Sequence, residues 1–214
     1  YTLADGFYSS RFLVDKIIEF VDADRGNGNP FFAYLPFMAV HMPVQAPREY
    51  TERYMQAYQG GWSALRQRRL QRAIELGIVP EGTQMVEMES TDDWDSLSDE
   101  RKRYEAKRMA VYAGMIEAMD FHIGRLVDYL KQTGQYENTI FIFTSDNGAE
   151  PSGAADPDGF QNRALAGSLG YNTDYETLGE KGSYNSISPS FASAAASPLA
   201  YFKFYAGEGG MRVP

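Results

Sequence analysis

Val14, Ile17, Ile18 and Val21 recur at the i, i+3, i+4, i+7 spacing of one helix face within FYSSRFLVDKIIEFV, residues 7–21. Ser9 or Ser10 is placed to cap the start of that helix. The polar, glycine-rich RGNGNP (residues 25–30) then reads as a turn. Residues 60–77 predict a second helix, with Trp62, Leu65, Ala73 and Leu76 on one side and Gly77 as its stop. A third and much longer helix is predicted from about Asp99 to Thr133. Tyr112, Ile116, Met119, Ile123, Val127 and Leu130 keep the helical period along it, and Gly134 follows where a left-handed residue ends a helix.

Two short apolar runs break the helical period. FFAYLPFMAVH (residues 31–41) is bracketed in its first half by Pro30 and Pro36, and TIFIFT (residues 139–144) is β-branched and aromatic. Both compositions predict buried strands. Helix, strand, helices and strand in that order predict an α/β sandwich. Pro80–Asp99 is polar and irregular. Residues 148–200, rich in Gly, Ser, Ala and Asn, read as one long irregular insert within a single domain.

Composition narrows the function. Hydrophobic residues make up 43% and charged residues 23% of the 214 positions, enough for a core. A net charge of -9 argues against a nucleic-acid partner, because phosphate binding needs a basic face. The basic run RQRRLQR (residues 66–72) reads as a solvated helix face. No stretch approaches the roughly 18 apolar residues of a membrane span. With no cysteine, thiolate chemistry is excluded within this sequence. The sequence opens on Tyr1 and stops at Arg212-Val213-Pro214, so both ends read as cut.

In open α/β sheets, ligands bind beyond the carboxyl ends of strands. His41 follows one predicted strand, and Asp146 and Asn147 follow the other. A carboxylate beside an amide carbonyl offers hard oxygen donors suited to Ca²⁺ or Mg²⁺. A plain Asn-Gly turn is the competing reading of Asn147-Gly148. What favours metal binding is the expected burial of the preceding strand, since a carboxylate delivered from a buried strand end must find a partner. A single His after an apolar run is more commonly structural, and His122, inside the long helix, is read as structural or solvent-facing. Lys203, set among aromatics in YFKFY, either snorkels or holds a cation over an anion site.

Three segments, taken in order, resemble the sulfatase family. PFFAYLPFMAVHMPVQAPREY (residues 30–50) resembles its strand ending in a proline-flanked histidine. YAGMIEAMDFHIGRLVDYLKQTGQYENTIFIFTSDNGAE (residues 112–150) resembles its helix and the following strand that ends in Ser-Asp-Asn-Gly. KFYAGEGGMRVP (residues 203–214) resembles its lysine, followed by Gly-Gly and Arg-Val-Pro. The insert between Asn147 and Lys203 most resembles bacterial arylsulfatases of broad specificity.

The resemblance implies an alkaline-phosphatase-like fold, with a mixed, mostly parallel sheet between helices. It implies hydrolysis of a small sulfate ester by a formylglycine nucleophile and one Ca²⁺ ion. Carried over by position, Asp146 and Asn147 would be calcium ligands, and His41 and Lys203 would contact the sulfate and the leaving oxygen. The family's Cys-x-Pro-Ser-Arg segment and its early aspartate pair are absent, so this chain reads as an internal fragment that would be inactive alone. Two other readings stand beside this one: a phosphonate or phosphodiester hydrolase of the same superfamily, and a non-catalytic anion-binding protein.

Overall fold

A computed structural model describes residues 5–89, 91–151, 164 and 166–213. Among the described residues the bounded α-helices are α1 (Ser9–Ala23), α2 (Arg48–Tyr54), α3 (Gly61–Glu75), α4 (Asp99–Gln132), α5 (Ser188–Ala196) and α6 (Glu208–Met211). Helix α4, at 34 residues, is about 50 Å long and is the axis of the molecule. Its ends follow local rules. Ser98 accepts a hydrogen bond from the Arg101 amide at 3.2 Å, and Asp99 and Glu100 sit in the first turn, where the helix dipole favours acids. Lys131 lies in the last turn, and Gly134 takes φ +71° just beyond it, a conformation costly for any residue with a Cβ.

Three apolar clusters line α4. Near its amino end, Met109 joins Trp62 of α3, Trp94, and Ile187, Phe191 and Phe202 from the later part of the chain. Trp62 meets Trp94 and Phe191 edge-on, with ring centroids 4.7 and 5.4 Å apart. Further along, Val111 and Met115 pack on Val44 and Ala46, and Leu126 and Leu130 pack on Val14 and Val21 of α1.

The three longer predicted helices form, and α1 buries Val14 and Val21 from the expected face. Two details differ. The residue before α1 is Tyr8, with no side-chain cap; Ser10 is instead buried against the helix bundle. On α4 Met119 and Leu130 of the expected face are buried, but Ile116 is 41% exposed, and the inward face also takes in Ala106, Ala110, Ala113, Ala118 and His122. Glu105 and Arg108 are buried on this helix too, so polarity masked part of the inward face. The sequence pattern predicts none of α2, α5 and α6. The small residues of α5 let it pack closely on α3 around Phe191.

The expected sheet is overturned. Among the described residues there is no β-strand, and pairing is limited to one isolated parallel bridge between Asn172 and Ser183. Both apolar runs are non-helical but unpaired, and much of their surface faces solvent. Phe32 is 94% exposed, Ile140 90% and Ile142 87%. Apolar, β-prone composition makes a segment fit for a strand, but a strand exists only when a neighbour completes its hydrogen-bond ladder. Among the described residues neither run has such a neighbour.

The most buried charged group is a pair on α4. Arg108 donates from NH1 to both oxygens of Glu105 at 3.0 and 3.2 Å, with the two side chains 4% and 2% exposed. Its remaining donors reach across to the late loop: Nε to the Ser186 carbonyl at 2.6 Å and NH2 to the Ser186 hydroxyl at 2.9 Å. Arg101 adds a second cation to Glu105 at 3.0 Å. Removing one partner from a buried, hydrogen-bonded pair typically costs about 3–5 kcal/mol. Arg108→Met should therefore destabilise strongly, partly relieved by Arg101, and a urea titration against wild type measures the drop. A midpoint shift near zero would show that the pair contributes nothing.

His122 makes folding pH-dependent. It lies on α4, with Nδ1 3.1 Å from Arg125, which in turn binds Asp15 of α1 at 2.6 Å. Arginine only donates, so Nδ1 must accept and remain unprotonated. Burial, followed by the charge of Arg125, pulls the His122 pKa below its usual 6.5, opposed by Asp15. The unfolded chain therefore takes up this proton more readily. The stability His122 retains above pH 6.5 is lost as pH falls through that value toward the lower folded-state pKa. His122→Gln should flatten the dependence of unfolding free energy on pH between pH 7 and 5, read from paired denaturation curves.

Candidate active site

Three distant stretches of chain meet at one place. The first is the loop after residue 40. His41 is set by its amide donating to the Met38 carbonyl at 2.8 Å. The residues just beyond it are clamped to the late loop: Val44 N to Asn185 O at 2.8 Å, Gln45 Nε2 to Ser183 O at 2.8 Å and Ala46 N to Gly179 O at 3.0 Å.

The second stretch is the turn at 145–150. Ser145 Oγ donates to the Asn147 carbonyl at 2.8 Å, and the Gly148 amide donates to Gly210 at 2.9 Å. A Cβ on Gly148 would overlap the Gly209 carbonyl oxygen, so a side chain here would push the two strips apart.

The third stretch, 201–210, lies alongside, with Lys203 N donating to the Ala149 carbonyl at 3.1 Å. Tyr201 and Phe204, on either side of Lys203, take φ values of 65° and 81°, rarely adopted by bulky residues and often found where function fixes the backbone.

Side chains from all three stretches converge. Lys203 Nζ forms an ion pair with Glu150 Oε2 at 2.5 Å and lies 3.4 Å from His41 Nε2. His41 Nε2 is 4.0 Å from the same Glu150 oxygen. Glu150 is buried, whereas His41 is open to solvent on its outer side. The His41 tautomer follows from its other nitrogen. Nδ1 lies 2.8 Å from the Met42 carbonyl, which only accepts, so Nδ1 carries the proton. Nε2 is then an acceptor in the neutral ring and a donor only in the imidazolium.

The expected residues thus divide. His41 and Lys203, 162 positions apart, are brought together. Asp146 and Asn147 lie on the same strip as Glu150, with Asp146 exposed and Asn147 half-buried. Neither of their side chains has a hydrogen bond or ion pair among the described residues. The burial expected to force a partner on Asp146 is not there, because the preceding run is exposed. Donor chemistry still fits calcium: two adjacent hard oxygens, free of other bonds, on a turn beside the cluster. Among the described residues no group of three or more His, Cys, Asp or Glu is placed to hold a metal, so these two would form only part of a shell that needs six to eight oxygens.

Sequence reasoning missed two residues. Glu150 closes the SDNGAE segment four positions after Asp146, and that proximity was its one signal. Tyr184 lies in the aperiodic insert, where nothing marked it. Its hydroxyl donates to Met42 Sδ at 3.0 Å. Burial and then the nearby Glu150 charge raise its pKa.

The comparisons with known proteins agree with one another. The sulfatase family model matches residues 1–214. An uncharacterized sulfatase of Schizosaccharomyces pombe is 39% identical over 210 residues, 97% of this chain and 37% of its own. An arylsulfatase of Klebsiella aerogenes is 35% identical over 212 residues, 98% of this chain and 44% of its own. A multifunctional alkaline phosphatase superfamily protein, PehA of Trinickia caryophylli, is 37% identical over 65 residues, 30% of this chain and 11% of its own. This chain thus spans well under half the length of the first two relatives. Matched by the family model from Tyr1 to Pro214, the chain belongs to the sulfatase family.

Proposed function

We propose that the full-length protein hydrolyses small sulfate esters of the aryl type, and that this chain supplies the part of its site that faces the leaving alcohol. The convergence of Lys203, Glu150 and His41 from three stretches of chain carries this reading. Similarity to the arylsulfatase of Klebsiella aerogenes supports the substrate class.

In this reading Lys203 is a fixed positive charge for the anionic ester. Glu150 takes one of its three N–H donors and orients the ammonium, leaving donors for oxygens of the substrate. As imidazolium, His41 gives its Nε2 proton to the oxygen that departs when the S–O bond breaks, and Nδ1–H stays on the Met42 carbonyl to hold the ring in place. Asp146 Oδ and Asn147 Oδ1 would bind a calcium ion, which screens the sulfate oxygens and helps hold the nucleophile. The nucleophile, a formylglycine, belongs to residues outside this chain, so the chain alone should not turn over.

Two measurements on the full-length protein test this. Calcium chelation, or Asp146→Ala, should lower kcat/KM on 4-nitrophenyl sulfate by about 100-fold, the mutant recovering in part at high calcium. Near-normal activity without calcium removes the metal assignment. A dominant rate on a phosphodiester, with negligible sulfate ester hydrolysis, replaces the sulfatase reading with that of a phosphodiesterase.

His41→Ala should depend on the leaving group. An alkoxide needs a proton to depart and nitrophenolate hardly does. The loss should therefore reach about 10²–10⁴-fold on an alkyl sulfate and be far smaller on 4-nitrophenyl sulfate. Equal losses on both would show that His41 does not deliver a proton.

A further inference from the structure

The insert folds one of its tyrosines onto the histidine loop. Asn172 N donates to Gly182 O at 2.9 Å and Tyr184 N to Asn172 O at 2.7 Å, which doubles the insert back on itself. Asn172 Oδ1 locks the turn by accepting from the Asp174 amide at 3.1 Å and the Thr177 hydroxyl at 3.0 Å. The doubling sets the rings of Tyr171 and Tyr184 side by side, centroids 6.1 Å apart and tilted by 59°. Both rings are half-buried, so each keeps an open part.

Tyr184 also reaches the cluster. Its hydroxyl contacts Met42 Sδ, and Met42 is the residue whose carbonyl holds His41 Nδ1. Its backbone is fixed by neighbours: Asn185 O receives the Val44 amide, and Ser186 is gripped by Arg108. An aromatic side chain on a braced loop is therefore set against Met42, the residue next to the histidine that would meet the leaving oxygen. A thioether is a weak acceptor, so hydrogen bonding alone gives little reason for a tyrosine here. The organic part of any ester must extend from that oxygen. A planar ring stacks on or against tyrosine with more attraction than a flexible chain of similar size, which also loses rotamer freedom when held.

We infer that Tyr184, with Tyr171 behind it, is the specificity-determining wall for the alcohol portion of the ester and selects planar aromatic alcohols over short alkyl ones. This rests on the sulfate ester reading above. Steady-state kinetics of the full-length protein on 4-nitrophenyl sulfate and on a short alkyl sulfate test it.

Tyr184→Leu keeps apolar bulk and removes the ring. It should raise KM for the aryl ester about five- to tenfold with kcat little changed, and leave KM for the alkyl ester within about twofold. Tyr184→Phe should behave like wild type. Should Tyr184→Leu not fold, Tyr171→Leu gives the same comparison with a smaller aryl-selective rise in KM. An equal fall in kcat on both esters would reduce Tyr184 to a prop for Met42 and His41 and overturn the inference. So would an unchanged ratio of the two KM values, or a loss of discrimination in Tyr184→Phe. Wild-type protein that hydrolyses neither ester overturns the sulfate ester reading itself, and this inference with it. Hydrolysis with unaltered selectivity overturns this inference alone.

Discussion

The buried pairing of Glu105 with Arg108 is the constraint on which the rest depends. Two charges almost wholly removed from water are tolerable only when their hydrogen bonds are met. Here Arg108 divides its donors between Glu105 on its own helix and Ser186 on a loop 78 positions later. The late loop is thereby held on the axis of the fold. That loop then receives the amides of Val44 and Ala46 and the side chain of Gln45, so the histidine-bearing segment inherits its position from α4 through two tiers of hydrogen bonds. The insert, polar and aperiodic as it is, acts as the brace between the helical axis and the site.

The helices were legible because their information is local. The period of α1, the stop of α4 and most of the apolar side of α3 are each written within one segment. The inward face of α4 was read only in part, through Met119 and Leu130, because Glu105, Arg108 and His122 also lie along it, and a buried ion pair cannot be told from a solvated one by periodicity. The two apolar runs failed differently. Their composition suits a strand, but a strand exists only with a hydrogen-bonding neighbour, and among the described residues none pairs with residues 31–41 or 139–144.

For the site, residue types alone left His41 and Lys203 undecided between packing and chemistry. The resemblance to sulfatases singled them out, and the fold supplied what neither gave: a common partner. Glu150 could not have been chosen from spacing, since its significance lies in a lysine 53 positions later and a histidine 109 positions earlier. Asp146 and Asn147 were legible as a donor pair, although the burial invoked for them is absent.

The electrostatics of the cluster explain why a carboxylate belongs in a site for an anion. An ammonium on a flexible four-carbon stem, left alone beside an exposed imidazole, would swing toward water. Glu150, fixed at the end of the 145–150 turn, holds Lys203 in place before the substrate arrives, and lies within reach of His41 as well. The local balance is one acid against up to two bases, so an incoming sulfate monoester meets near neutrality when His41 is neutral and a net positive charge when it is protonated. Under the proposed function, the protonation that makes His41 a donor to the leaving oxygen also makes the cluster attract the ester, so binding and proton delivery draw on the same ionisation.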